Sequence, residues 1–343
     1  MGAIERQEAE AAVGSPPGTR DAGGATWRAT AGTPALASVR RAIAVSRPLF
    51  WLNSASLCVV AAILARPAPG WRAALAAVFA TFPLNLFVHA VNDLHDRESD
   101  ARNPRKGSAE GARATEAELR RLVGLSFAAV APFAIFFASV GSVASSAVLA
   151  LLLAVSWAYS APPLRLKGRP GWDSVANAAY VLPFVFAALL LGVDPVPWRE
   201  IAAFALWAIA SHALTSIQDV EADRASGLST IATALGRRRA AFLSLALDAA
   251  VALLLFAARP IVVILPLAHA AIAARVAFSE DAEAPRAAYR AFIALNMAAG
   301  FVLVTWIALA SPGRTLWAAI AMLSLCAAVA GSLAFASGAQ GED

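Results

Sequence analysis

Charge is scarce in this sequence. Asp, Glu, Lys and Arg together supply 15% of 343 residues, whereas 59% are hydrophobic and the mean hydropathy is +0.64. Soluble domains carry about a quarter charged residues, so this balance excludes an ordinary soluble fold. Cysteine is nearly missing. Cys58 and Cys326 both lie in apolar runs without partner spacing, which excludes a disulfide framework and a cysteine zinc site and leaves apolar packing as their use. The first 40 or so residues, rich in Ala, Gly and Pro, lack the apolar core of a cleavable signal peptide. Residues 1–44 are therefore expected to form a disordered cytoplasmic tail.

What the sequence has instead is apolar runs of about 20 residues, each long enough to cross a bilayer. Candidate spans fall at 49–65, 73–92, 119–140, 142–160, 174–193, 200–218, 239–258, 260–278, 288–310 and 315–336. The expected fold is all-α, a polytopic membrane bundle of nine or ten transmembrane helices around a central cavity. Its main domain is expected over 45–310, with an extra transmembrane helix and short tail over 311–343. Basic residues alternate between connections. The second loop holds Arg97, Arg102, Arg105, Lys106, Arg113, Arg120 and Arg121; the fourth Arg165, Lys167 and Arg169; the sixth Arg224 and Arg237 to Arg239; the eighth Arg275, Arg286 and Arg290. The odd loops hold little beyond Arg66, Arg72, Arg199, Arg259 and Arg314. That alternation puts the even loops and the N-terminus in the cytoplasm, and it accounts for the net charge of +5 without nucleic acid.

Against this background, "VNDLHDRESDARNPRKG" after the second run is anomalous. At about 100° per residue, Asn92, Asp96 and Asp100 fall within roughly 80° of one another on a helix, with Asp93 at the edge of that face. Asn85 and His89 continue the stripe inward, so it is expected to line a protein cavity. The sixth run repeats the pattern in "SHALTSIQDVEADRASG": Asp219 and Asp223 share a face that Thr215, Ser216 and His212 extend, while Glu221 points elsewhere. The echo hints at two related halves. A buried carboxylate costs about 2.5–3.5 kcal/mol on an insertion scale, less near the interface, and two facing clusters would repel. Hard divalent cations with oxygen ligands relieve both costs. Magnesium takes one or two carboxylates plus substrate phosphate oxygens, so two acidic pairs point to two magnesium ions bridging a diphosphate.

Cations stand close by in sequence. Arg105 and Lys106 follow the first cluster and Arg165 and Lys167 follow the fourth run, placed to neutralise phosphate charge, with Arg47 before the first run as a further contributor. A solvated helix end would explain one acidic cluster, but not the spacing of four, the second cluster and the inward stripe together. Other residues stay open between two uses. His89 and His212 are either bases or packed histidines, and Tyr159 and Tyr180 either line the cavity or pack. Trp51, Phe79, Phe82, Phe87, Phe184 and Phe186 either face a carbocation or fill the core. Asn53, Asn177 and Asn296 read as amides that could bind helices together, and His95 and His269 as structural.

"NDLHDRESD" and "DVEAD" resemble the paired acidic signatures of the UbiA superfamily of intramembrane prenyltransferases, and "YSAPPLRLK" is similar to that family's loop after its fourth helix. The resemblance covers roughly residues 45–310, and "SRPLFWL" and "NPRKG" make it most like the lycopene elongase branch. It implies magnesium-dependent ionisation of an allylic prenyl diphosphate and transfer of the prenyl group to a lipophilic acceptor such as a carotenoid. The implied catalytic residues are Asp96, Asp219 and Asp223. The implied metal ligands are Asn92, Asp96, Asp219 and Asp223, with Asp93 and Asp100 supporting. Arg105, Lys106, Arg165 and Lys167 would bind diphosphate, with Arg47 and Tyr159 as further substrate contacts. The long N-terminal tail and the tenth apolar segment depart from the family's pattern. An aromatic quinone precursor or a tetrapyrrole is the alternative acceptor. An ion-coupled secondary transporter is the alternative of a different class, opposed by acids that lie at span ends beside basic loops.

Overall fold

The computed structural model describes residues 34–65, 70–100 and 115–309. Among them there are helices and turns and no strand. The chain divides after Val39, inside its first helix, and the packing and the site described below lie in the unit Arg40–Asp343. The helices are α1 (Pro34–Val45), α2 (Pro48–Leu64), α3 (Trp71–Phe79), α4 (Phe82–Asp100), α5 (Glu116–Val140), α6 (Val143–Ser160), α7 (Trp172–Val175), α8 (Leu182–Leu191), α9 (Trp198–Thr215), α10 (Val220–Ala225), α11 (Ile231–Leu235), α12 (Arg237–Phe256), α13 (Ile264–Phe278) and α14 (Ala284–Leu309). Among the described residues seven helical stretches are long and apolar enough to cross a membrane, and Asn53–Leu64 is a shorter apolar helix. The tenth expected span, 315–336, lies outside the described residues, as do 1–33 of the expected tail.

Local chemistry sets the helix ends. Thr115 caps α5 by accepting from the Glu118 amide at 3.3 Å while Glu118 accepts from the Thr115 amide at 2.9 Å, a reciprocal capping box. Ser142 caps α6 by accepting from the Ser145 amide at 3.1 Å. Between them Gly141 admits no side chain: a Cβ there would lie 2.7 Å from the Phe137 carbonyl oxygen. At the far end of the chain Arg237 donates to the carbonyls of Val276, Ser279 and Asp281, and Arg238 to that of Ala277. These guanidiniums close the C-terminus of α13, where orphan carbonyls and the helix dipole both favour positive charge.

Packing falls into two main blocks. The first is built from α2 to α6 and α8, with Phe79, Phe137 and Phe186 at its centre. Their rings meet edge-on at centroid distances of 5.1 to 6.1 Å, the geometry that aromatic quadrupoles favour. Phe79 and Phe186 are thus core residues, which decides the question left open for them. The second block joins α9, α12, α13 and α14. Inside it His269 Nδ1 lies 2.8 Å from Asp248 Oδ2, with both side chains essentially inaccessible and Trp207 and Phe292 packed against the imidazole. The outer surface is apolar: Ile135, Val143, Leu253 and Ile261 are each more than 70% exposed, as lipid-facing residues are.

Several expected helices are interrupted: the fifth run, 174–193, divides into α7, a 3-10 segment over Ala176–Val181 and α8, and two other breaks bear on the site. The second run divides at Ala80–Thr81, with Pro83 in the first turn of α4. Asn85 serves that break. Its amide donates to the Ala80 and Thr81 carbonyls at 2.9 and 2.8 Å and to Ser54 Oγ at 2.9 Å. Asn85 was expected to line the cavity; instead it satisfies carbonyls that the interrupted helix cannot. The sixth run is also interrupted, because α9 ends at Thr215 and a 3-10 turn, Ser216–Asp219, leads into α10. Asn177 donates to the Asp173 carbonyl one turn back and also hydrogen-bonds the Tyr159 side chain, so it ties its own turn to α6.

Candidate active site

A cavity of about 400 Å³ lies between the two packing blocks. Its walls carry Asn92 and Asp96 from α4, Tyr159 from α6, Lys167 from the following turn, and His212, Thr215, Ser216, Asp219 and Asp223 from the broken sixth run. Arg47, Phe50, Gln218, Leu228, Thr230 and Tyr289 complete it. The two acidic clusters, some 120 residues apart in sequence, therefore face one space. The break in the sixth run does not spoil this, since residues His212 to Asp223 still present one side to the cavity.

Each cluster is held by specific partners. Lys167 is buried; its ammonium donates to Asp96 Oδ1 in a close ion pair and to Asn92 Oδ1 at 3.3 Å. Ser160 Oγ donates to the same Asn92 oxygen at 2.9 Å. Asp223 Oδ2 accepts from Thr230 Oγ1 at 3.2 Å, and Thr230 also caps α11. Asp93 is nearly inaccessible and accepts from Arg47 Nη2 at 2.6 Å, so it braces Arg47 and is not part of the cavity wall.

The turn after α6 separates two cations that the sequence had grouped. Pro162 and Pro163 stop the helix, and the 3-10 turn Leu166–Gly168 swings Lys167 inward. Arg165 stays exposed, outside the cavity wall, with one guanidinium nitrogen 3.4 Å from the His95 carbonyl. Arg47 and Arg165 are the two non-glycine residues with positive φ among the described residues, at 50° and 38°. Left-handed backbone at a non-glycine residue costs about 1–3 kcal/mol, and such strain concentrates at functional sites. Arg105 and Lys106 lie outside the described residues, and so does the side chain of Asp100.

The donor set suits magnesium. Carboxylates from Asp96, Asp219 and Asp223 and the amide oxygen of Asn92 are hard oxygen ligands. Among the described residues no three Asp, Glu, His or Cys side chains close into a metal cage.

Sequence reasoning did not find Phe50, Gln218, Thr230 or Tyr289 as wall residues, nor the Asp248–His269 pair. His89 packs its ring 5.7 Å from Phe50 behind the wall, and Tyr180 lies outside it.

A helical bundle with an apolar outer surface and with two acid clusters and a buried lysine around one cavity has the form of an intramembrane enzyme. The family model for the UbiA prenyltransferase family matches residues 54–299. The chain belongs to that family of prenyltransferases, which decides against the transporter alternative. The chain is 36% identical over 274 residues to a C(50) beta-cyclic carotenoids biosynthesis protein, LbtBC, of Dietzia sp.. That match takes in 76% of this chain but 63% of the relative, so the chain spans less than two thirds of its length. A lycopene elongase/hydratase of Corynebacterium glutamicum is 37% identical over 212 residues, covering 61% of this chain and 74% of that one. The fold is shared with a UbiA homologue from Archaeoglobus fulgidus solved with GPP and Mg2+, at a TM-score of 0.56, 18% identity and coverage of 84% and 99%. Within the family the chain groups with the lycopene elongase branch.

Proposed function

We propose that this protein transfers a prenyl group from an allylic diphosphate to a carotenoid such as lycopene, in a magnesium-dependent reaction at the cytoplasmic side of the cell membrane. The observation that carries the reading is the convergence of Asn92, Asp96, Lys167, Asp219 and Asp223 on one cavity. Relatives named lycopene elongase/hydratase favour the carotenoid acceptor. The basic connections beside both clusters favour the cytoplasmic face.

In this mechanism Asn92, Asp96, Asp219 and Asp223 would hold magnesium. When bound, it supplies the positive charge that a departing diphosphate needs. Arg47 and Lys167 add fixed cations aimed at the same leaving group, where preorganised charge stabilises what develops in the transition state. Arg105 and Lys106, outside the described residues, would add further cations for the diphosphate. The C–O bond breaks with its electron pair leaving on diphosphate. Tyr159, Tyr289 and Phe50 then bound the space in which the allylic cation meets the acceptor, away from water. A terminal C=C of the carotenoid supplies the electron pair for the new C–C bond.

The test is turnover by the purified full-length protein in lipid nanodiscs with dimethylallyl diphosphate and either lycopene or an aromatic quinone precursor. Elongated carotenoid as product supports the proposal. Product with the aromatic acceptor alone would keep prenyl transfer and overturn the carotenoid assignment.

A further inference from the structure

His212 sits on the cavity wall with one face of its ring already built into the protein. Nδ1 lies 3.0 Å from Ser174 Oγ and 3.9 Å from Asp173 Oδ2. No described residue hydrogen-bonds the other ring nitrogen, and the side chain is 21% exposed, toward the cavity that it lines. Asp173 belongs to neither acidic motif. It lies in α7, is 1% exposed at its side chain, and accepts at Oδ2 from the Ile231 amide at 2.8 Å. Its other oxygen, Oδ1, is buried with no hydrogen-bond partner. A buried carboxylate with half its capacity unfilled is costly unless a cation stands beside it. An imidazole that gains a proton becomes that cation.

Prenyl transfer must dispose of one proton per turnover, whichever acceptor is used. The C–O electron pair leaves with diphosphate, and the acceptor's electron pair forms the new bond. A proton must then depart from the carbon next to the resulting cation, from the attacked aromatic carbon, or from a water that captures the cation. The wall acids are assigned to the metal, and Lys167 and Arg47 are engaged with Asp96 and Asp93. We infer that His212 is the base that takes this proton at Nε2, with Ser174 as the positioning residue that hydrogen-bonds the ring at Nδ1 and Asp173, 3.9 Å away, as the charge that compensates the imidazolium. The C–H pair becomes the new C=C bond, or the O–H pair stays on oxygen as a hydroxyl. As in the hydrolase triad a buried carboxylate stands beside the base, but here the hydrogen bond that orients the ring is made with Ser174 and the carboxylate acts through its charge. The inference rests on the prenyl-transfer reading but not on the identity of the acceptor.

The experiment compares wild type, His212→Ala and Asp173→Asn as full-length protein in nanodiscs. It measures magnesium-dependent pyrophosphate release from dimethylallyl diphosphate without acceptor, and transfer with lycopene, each with and without added imidazole. For His212→Ala the expected result is a fall in transfer kcat of about 10²-fold, with donor KM nearly unchanged, acceptor-free ionisation retained and transfer partly restored by imidazole. Asp173→Asn, which can still accept from the Ile231 amide, should lose about tenfold in kcat and gain nothing from imidazole. A histidine needed only for packing would show a raised KM or lost folding without imidazole rescue, and that outcome overturns the inference. So does transfer at the wild-type rate in His212→Ala, which would leave diphosphate itself as the proton's acceptor. A wild-type protein that ionises no donor overturns the prenyl-transfer reading and this inference with it.

Discussion

Replacing Arg47 by alanine probes two roles of one side chain. Its guanidinium lies 2.6 Å from Asp93, with 13% and 7% of the two side chains exposed, so the pair is close to dry. Breaking a buried pair from one side leaves an uncompensated charge and costs about 3–5 kcal/mol. Alanine keeps the left-handed strain at position 47, where φ is 50°. Glycine removes it, so Arg47→Gly should be the more stable of the two by about 1 kcal/mol. Adding Asp93→Asn removes the orphaned charge. The double variant Arg47→Ala/Asp93→Asn should therefore recover about 2–3 kcal/mol relative to the sum of the single losses, as directly contacting residues do. The assay is reversible unfolding in mixed micelles, run beside transfer activity per folded molecule. Stability should return in the double variant while activity stays low, because the cavity has lost a cation. Losses that add to within about 0.5 kcal/mol would refute the coupling. Full activity in the double variant would leave Arg47 as a brace alone and remove it from substrate binding.

Lys167→Met should lower kcat by about 10²–10³-fold, as loss of a preorganised charge at a leaving group does, while the protein still folds; steady-state transfer assays check this. Asp248→Ala leaves the inaccessible His269 without its partner and should destabilise by about 1–3 kcal/mol in the same unfolding assay, with activity per folded molecule near wild type. Gly141→Ala sets a methyl group 2.7 Å from a carbonyl oxygen at the α5–α6 turn and should cost about 1–3 kcal/mol, again without a change in turnover per folded molecule.

The bundle and its acid clusters were legible because both depend on short-range regularities. Runs of about 20 apolar residues define helices whatever their neighbours, and a spacing of four puts Asp219 and Asp223 on one side because α10 begins right after Asp219. What stayed hidden depends on breaks and on long-range closure. Asn85 looked like part of a continuous stripe because nothing local except Pro83 announces the interruption at Ala80–Thr81. Arg165 and Lys167 are two residues apart, and only the turn after Pro163 decides which one enters the cavity. Asp173, Thr230 and Tyr289 reach the site from elements that carry no acidic motif, so no spacing in the sequence could have joined them to it.

The most direct measurement is pyrophosphate release from dimethylallyl diphosphate as a function of magnesium concentration, for wild type, Asp96→Asn and Asp223→Asn. The account predicts release that saturates with magnesium, stops with EDTA and falls by at least about 10²-fold in each variant, because both clusters hold metal at one diphosphate. Magnesium-independent release, or a variant in either cluster with the wild-type magnesium curve, would contradict it.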